Sequence, residues 1–343
     1  MMRNDPPRPL TVGLVATPES SAAVLYGLQE VCSSVGEVWT QLTGEAAPVR
    51  RMKPLVIGAA TDAFKNGVGA AFAPESDFAN APPADLVFVG DLAIDNNIDP
   101  RGRWPEATAW VRARFEAGAM ICSVCTGGVL LAEAGLLNGL EATTHWAVIR
   151  LFENYYPTVK LKPEKIIVPA GPEHRIVTGG GSAAWAEVAL YAIARFCGEA
   201  EALRIAKVFL LGDHSEGQLP FAAMVRQHAD DDAVISDSQV WLADNYAAAN
   251  PVAKMAERSG MSTRTFVRRF RRATGYAPLE YVQTLRIEEA KQFLETSDER
   301  IEDIAQRVGY EDAAPFRKLF RRKTGVTPSR YRQRWNNLKK TIV

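Results

Sequence analysis

Phe270-Arg271-Arg272-Ala273-Thr274-Gly275-Tyr276-Ala277-Pro278-Leu279-Glu280-Tyr281 recurs fifty residues later as Phe320-Arg321-Arg322-Lys323-Thr324-Gly325-Val326-Thr327-Pro328-Ser329-Arg330-Tyr331. The shared frame is F-R-R-x-T-G-x-x-P-x-x-Y. Upstream, Ala256 and Gly260 match Ala305 and Gly309 at an offset of 49, so the second copy carries one extra residue between its glycine and its phenylalanine. Self-similarity at this period marks one supersecondary unit used twice. Each copy reads as helix, turn, helix. In the first (about 251–274) Asn250 is placed to cap and Pro251 suits the first helical position. Val252, Met255 and Ala256 share a face, and Gly260 ends the helix. Ser262 is placed to cap the next helix, whose Phe266 and Phe270 lie four apart on its buried side, and Gly275 stops it. In the second (about 300–324) Ile301, Ile304, Ala305 and Val308 form the first stripe. Gly309 turns the chain, Asp312 is placed to cap, and Phe316 and Phe320 repeat the pair. Pro315 falls in the first turn, where a missing N–H is tolerated.

The charges follow the same frame. The second helix of the first copy carries Arg264, Arg268, Arg269, Arg271 and Arg272; that of the second carries Arg317, Lys318, Arg321, Arg322 and Lys323. With phenylalanines on one side and cations on the other, each helix packs inward and turns charge toward phosphates. One such helix is as easily a solvated surface; two in one frame are not. Between them Pro278 to about Thr296 reads as a helix, with Tyr281, Leu285, Ala290, Phe293 and Leu294 as its apolar residues. At about 1.5 Å per residue it spans roughly 28 Å, close to one DNA turn of roughly 34 Å. The net charge of zero conceals a split. From Ser236 onward there are 21 Lys+Arg and 13 Asp+Glu, a net of +8; the first 235 residues hold 19 and 27, a net of −8. A basic nucleic-acid-binding module on an acidic partner domain is expected.

On these motifs residues ~236–336 resemble the AraC/XylS-type DNA-binding domain over its full length. The resemblance implies a sequence-specific, DNA-binding transcription regulator whose partners are double-stranded promoter DNA and RNA polymerase. By position it puts base-facing side chains at Arg264, Val267 and Arg268 in the first unit and at Ala313, Ala314 and Lys318 in the second. It puts phosphate contacts at Thr263, Arg269, Arg271, Arg317 and Arg321. An arginine pairs bidentately with guanine, whereas an alanine only touches a thymine methyl or leaves room. More hydrogen-bonded readout is therefore expected from the first helix than from the second.

The front two thirds alternate strands and helices. Leu10 to Ala16, Asp85 to Gly90, Ala119 to Val124, Lys165 to Val168 and Arg175 to Thr178 read as strands. Ser21 to Val35, Pro105 to Ala117 and Ser182 to Phe196 read as helices. The pattern predicts an α/β fold with a mostly parallel sheet covered on both faces. Cys125-Thr126-Gly127-Gly128 turns sharply from strand into helix, the geometry of a nucleophile elbow. A helix N-terminus behind the sulfur favours a thiolate. His145 lies twenty residues on, in Ala142-Thr143-Thr144-His145-Trp146, so a Cys–His hydrolase dyad is one reading.

The elbow, Ala134-Gly135-Leu136-Leu137 and Ala142-Thr143-Thr144-His145-Trp146 resemble the PfpI-type, class I glutamine amidotransferase-like domain, a flavodoxin-like parallel sheet. The version fused to AraC-type modules in GlxA-like regulators is most similar. Gly217-Gln218-Leu219-Pro220-Phe221 also resembles those regulators. The expected order is a sensor domain over 8–198, a connecting helix and linker over 199–235, and the all-α domain with two helix-turn-helix units over 236–336. The enzymes of the family commonly carry His after the nucleophile; here Thr126 follows, and Glu19 is the acidic residue near the first strand. The resemblance thus implies a small-molecule effector site at Cys125, Thr126, His145 and Gly180 rather than a catalytic one. Relatives respond to small nitrogen compounds such as amino acids or quaternary ammonium metabolites. The alternative is a cysteine-dependent amidase or hydrolase with an appended DNA module; a third reading is oxidative sensing at Cys125.

Other features bound the function more weakly. Met1 to Pro9 lacks the apolar core of a secretory signal, and no apolar run suits a membrane span. Four irregularly spaced cysteines suggest no disulfide framework, and Cys122-x-x-Cys125 lacks a second ligand pair for zinc. No cofactor or metal is expected, and a bacterial cytoplasmic, nucleoid-associated homodimer is. Cys122 reads as core. Trp104, Trp110, Trp146 and Trp185 read as core more readily than as a cage for a cation. Gly179-Gly180-Gly181 is either an anion cradle or a tight turn. Asp230-Asp231-Asp232 reads as a solvated linker feature.

Overall fold

The computed structural model describes residues 8–45, 49–96, 98–211, 219–221 and 232–342. Met1 to Pro7, Gly217, Gln218, Asp230 and Asp231, on which some of the readings above fall, lie outside them. The chain divides into two compact units, Met1–Gln218 and Leu219–Val343. Among the described residues no helix is long and apolar enough to cross a membrane.

The strands of the first unit are β1 (Leu10–Val15), β2 (Met52–Gly58), β3 (Phe64–Lys65), β4 (Ala71–Phe72), β5 (Ser76–Asp77), β6 (Leu86–Val89), β7 (Met120–Val124), β8 (Glu141–Ala142), β9 (Lys160–Leu161), β10 (Ile167–Ala170) and β11 (Ile176–Gly179). Seven form one sheet in the order β10-β11-β7-β6-β1-β2-β5, while β3 pairs with β4 and β8 with β9. The sheet is parallel except at β10, which runs antiparallel to β11. Its five long parallel strands lie second, first, third, fourth, fifth across the sheet, the flavodoxin-like order.

Period-two alternation sends side chains of one strand to two cores. Leu86 and Phe88 meet α1 (Ala22–Ser33), α6 (Trp185–Cys197) and α7 (Glu199–Phe209), with the small helix α2 (Val38–Thr43) at the margin of that core. Val87 and Val89 meet α3 (Pro105–Glu116), α4 (Gly127–Glu133) and α5 (Ile149–Tyr155). Burial on both faces is why these strands read as unbroken apolar runs. Strand β2 escapes the sequence reading because Pro54 interrupts it. The proline is harmless here. Val56 sends its N–H and C=O to Glu75, away from β1, so Pro54 two residues earlier faces the same side, and β5 pairs β2 only at Ile57 and Gly58. Helix α7, which the sequence reading assigned to the connector, packs on α6, buries Ile205 in the first core, and belongs to the first unit.

The second unit contains α8 (Ala233–Asn245), α9 (Pro251–Arg258), α10 (Thr263–Thr274), α11 (Pro278–Thr296), α12 (Ile301–Arg307), α13 (Ala313–Thr324) and α14 (Pro328–Ile342). The repeated frame specifies its two cores residue by residue. Phe270 meets Tyr281 edge-on at 5.4 Å, and Phe320 meets Tyr331 at 5.5 Å, so the first and last residues of each frame close one cluster. The frame threonines tie the helix ends: Thr274 and Thr324 hydroxyls donate to the carbonyls of Phe270 and Phe320 at 2.8 and 2.9 Å. Gly275 and Gly325 take left-handed φ of 72° and 78° as helix C-caps, and each frame proline opens the next helix. Ser262 and Asp312 cap α10 and α13 by accepting from the N–H of Thr265 and Ala314. Asn250 does not cap: its own φ of 51° turns the side chain away, and no side-chain bond to α9 forms.

Candidate functional site

Two regions hold the functional side chains predicted from sequence. In the second unit the buried faces of α10 and α13 carry Phe266, Phe270, Phe316 and Phe320. Their opposite faces are exposed. Thr263, Arg264, Arg268, Arg271, Ala314, Lys318 and Arg321 all lie open, and Val267 and Ala313 are half-buried at the margins. The base-facing set of each unit therefore shares one accessible side. The cations differ in their commitments. Among the described residues Arg264, Arg268, Arg271, Lys318 and Arg321 hold no ion pair.

Arg269 and Arg317, expected as phosphate contacts or surface charges, each hold a carboxylate partner. Arg269 forms a two-pronged pair with Asp232, Nε to Oδ2 at 2.7 Å and Nη2 to Oδ1 at 2.9 Å. That guanidinium holds the Asp232 carboxyl below its usual range. Asp232 also accepts from the N–H of Ile235 at the start of α8, so it acts as a cap and ion-pair partner rather than as a solvated linker charge. Arg317 pairs with Glu302. Lys323 and Arg322 lean back onto α11 through Glu280 and Gln283. A concave surface of about 600 Å³ remains on α13, lined by Arg317, Lys318, Arg321, Arg322, Gly325 and Thr327.

In the first unit the candidate ligand site gathers at the carboxyl ends of β6, β7 and β11, where ligands bind in open α/β sheets. Cys125 follows β7 at a φ of 57°, a conformation that costs a non-glycine residue of order 1–3 kcal/mol and requires surroundings that impose it. Here the Cys125 N–H donates to Gly179 O at 3.0 Å, and Thr144 Oγ1 donates to Cys125 O at 3.0 Å. The turn also demands glycine at 127. A Cβ there would lie 2.3 Å from Gly90 O and 2.5 Å from Val89 O.

The elbow exists, but its chemistry differs from expectation. Cys125 is 5% exposed, and burial pushes its thiol up to about 11, with the nearby Asp91 charge adding to the rise and hydrogen bonds from Ser182 and Thr126 opposing it. Desolvation outweighs the helix terminus, so the sulfur is a neutral thiol and not a thiolate. Its side-chain neighbour is Ser182, whose Oγ lies 3.6 Å from Sγ and donates to Asp91 Oδ2 at 2.6 Å. His145 does not hydrogen-bond Cys125. Its Nδ1 accepts from the Ala147 N–H at 3.1 Å, which leaves the proton on Nε2, and its ring meets that of Trp146 at a tilt of 34°, centroids 4.8 Å apart. Burial holds His145 below the usual imidazole range, with Asp91 opposing.

The other predicted members are less available. Thr126 Oγ1 donates to Leu92 O and accepts from Leu92 N, both at 2.7 Å. The Gly180 N–H donates to Ile166 O at 2.8 Å, which favours the turn over the anion cradle. Glu19 is bound to Arg103 and Trp104, not to the cysteine. Trp104 and Trp110 lie in the core beneath α3, so the four tryptophans form no common cage. The residues missed from sequence are Asp91 and Ser182. Asp91 Oδ1 is buried without a hydrogen-bond partner among the described residues. No local motif announces either; each simply follows a strand of the same sheet.

Comparison with known proteins matches residues 255–334 to the helix-turn-helix domain family and residues 52–184 to the DJ-1/PfpI family. The chain is 28% identical over 253 residues to the HTH-type transcriptional regulator CdhR of Pseudomonas aeruginosa, covering 71% of this chain and 72% of that protein. It is 23% identical over 270 residues to the HTH-type transcriptional regulator GbdR of Pseudomonas aeruginosa, covering 77% and 70%. Among solved structures, an AraC family transcriptional regulator from Pseudomonas putida is similar at a TM-score of 0.47 and 16% identity, over 59% of this chain and 100% of that one.

Proposed function

We propose that this chain, a DNA-binding transcription regulator of the AraC family with a DJ-1/PfpI-type N-terminal domain, reads two successive major grooves and adjusts that reading to a small effector. The observation that carries the DNA half is the pair of recognition helices. Each presents exposed cations, without an ion pair among the described residues, opposite a buried Phe-Phe face, and the nineteen-residue α11 lies between them in the chain. At about 1.5 Å per residue that helix is roughly 28 Å long, near one turn of duplex. Arg264 and Arg268 supply most of the hydrogen-bonded base readout. Lys318, Ala313 and Ala314 give the second helix a looser, more methyl-tolerant preference. Thr263, Arg271 and Arg321 hold phosphates. A homodimer working with RNA polymerase at promoter DNA, in the cytoplasm, completes the reading.

The effector half rests on the cluster at Cys125. Its negative charge is Asp91, whose Oδ1 lacks a hydrogen-bond partner among the described residues; that charge acts on His145, whose ring lies against Trp146. A carboxylate with aromatic neighbours suits an ammonium group, which fits an amino acid or a quaternary ammonium metabolite. Cysteine-dependent hydrolysis is the weaker reading, because the thiol is held protonated and no base touches Sγ.

A mobility-shift titration with the intact chain on duplexes selected from random DNA tests the proposal. Binding should be sequence-selective and weaken steeply with salt. Absence of selective binding would remove the two-groove reading. Amide or ester turnover that disappears in Cys125→Ala would replace the sensor reading with the hydrolase one.

A further inference from the structure

Near the middle of α11, Arg286 makes a contact that neither recognition helix makes for itself. Its Nε donates to Tyr246 O at 2.8 Å and its Nη2 to Ala248 O at 3.0 Å, both in the segment that joins α8 to α9. Its Nη1 donates to Gly309 O at 3.0 Å, in the turn between α12 and α13. The guanidinium also lies over the Tyr310 ring, 5.3 Å from its centroid. One side chain therefore ties the segment that launches the first helix-turn-helix to the turn inside the second.

The backbone is shaped to permit this. Gly309 has a φ of 89°, and a Cβ there would stand 2.7 Å from Ala247 O, 2.9 Å from Ala247 Cα and 2.9 Å from Arg286 Cζ. The turn of the second unit thus approaches the backbone of the first closely enough to exclude a methyl group, and the guanidinium fills the remaining seam. Tyr246 packs against both cores of this unit. A planar fork with five donors serves three carbonyls on two segments; an ammonium is a point charge and does not span them.

We infer that Arg286 is the positioning residue that fixes the angle between the two DNA readers. It touches no DNA in the two-groove reading, on which this inference rests. Helix α11 sets how far apart α10 and α13 stand. Arg286 sets their rotation about it, by holding residues 246–248 and Gly309 at one guanidinium. Without that tie three carbonyls lose their donor and the seam loosens, so each helix still reads its own groove while the register between them becomes tolerant.

The test uses the intact chain and a duplex it selects from random DNA, together with the same duplex carrying one inserted base pair between the two contacted grooves. One base pair rotates the second groove by about 34° at 10–10.5 base pairs per turn. The wild type should bind the inserted duplex about 30-fold or more weakly, through loss of base contacts at one helix. Arg286→Gln should bind the original duplex more weakly, and its insertion penalty should fall below about 5-fold. Arg286→Lys, which keeps the charge and better preserves folding, should shift the same way. The penalty is a ratio within one preparation, so a reduced folded fraction does not mimic it. A wild-type penalty retained in both variants overturns the inference and leaves the two-groove reading standing. A wild type indifferent to the insertion overturns both.

Discussion

Residue identity decides which charges are available to DNA. Arg268, Arg269 and Arg271 look alike in sequence, yet among the described residues only Arg269 of the three is already held by a carboxylate, that of Asp232. Arg271→Ala should therefore lower the slope of log K against log[salt] by about 0.9, the loss of one phosphate neutralisation. Arg269→Ala should leave that slope nearly unchanged while loosening the start of α8. Arg268→Ala should instead relax selectivity at one base step, costing about 1–3 kcal/mol against the preferred site only; uniform weakening on all duplexes would reassign it to phosphate. Cys125 makes the same point for chemistry. A thiol pushed up to about 11 by burial carries little thiolate at neutral pH, so iodoacetamide should label it slowly at pH 7–8 and faster as pH rises toward 11. Rapid labelling at pH 7, lost in Cys125→Ala, would contradict the buried-thiol assignment. The position of the elbow was legible in sequence because strand, cysteine and glycines are contiguous. Its electrostatics were not, because Asp91 and Ser182 reach it from the ends of other strands, 34 residues before and 57 residues after it.

At the scale of elements, legibility follows whether the signal is local. The frame F-R-R-x-T-G-x-x-P-x-x-Y is a complete local specification: core ring, hydroxyl tie, left-handed glycine, helix-opening proline and docking tyrosine within twelve residues. Helices α10, α11 and α13 accordingly lie where the sequence puts them. Strand β2 was hidden by Pro54, whose acceptability depends on how little of β2 the edge strand β5 covers. Helix α7 was misassigned because only its packing on α6 tells which unit owns it. The elbow is the sharpest local demand in the first unit. Gly127→Ala would drive a methyl group into two backbone carbonyls, and neither can move without disturbing the end of β6. The substitution should cost about 3 kcal/mol or more, read as an earlier midpoint in urea unfolding of the first unit. Gly128→Ala, whose nearest neighbours lie at 3.7 Å, should be tolerated much better. Equal effects of the two would deny that close approach to the β6 end is what selects glycine.

For the molecule as a whole, the question is how an acidic α/β domain and a basic helical one form one regulator. The charge split of −8 and +8 puts the phosphate-attracting charge in the second domain, and in the proposed reading the first contributes through its ligand state. Asp91 is the residue through which that state is most directly tested. In the wild type an ammonium-bearing effector at one hundred times its dissociation constant stabilises the folded chain by about 2.7 kcal/mol, visible as a rise in melting temperature. Asp91→Asn keeps a hydrogen-bonding group beside Ser182 but removes the charge, so the shift should vanish for cationic and zwitterionic probes alike. DNA affinity without ligand, and its salt slope, should be unchanged, since Asp91 lies outside the basic domain. The same substitution carries a pH signature. Burial lowers the pKa of His145 and Asp91 opposes that fall; without the carboxylate it falls further. The unfolded chain then takes up the proton first as pH drops below about 6.5, so this site's share of stability is present above that pH and is lost on the way down through the folded value. Asp91→Asn should therefore lose stability more steeply between neutral and mildly acidic pH than the wild type. A variant that keeps the ligand shift, or whose pH profile is unaltered, would move the effector away from Asp91 and His145.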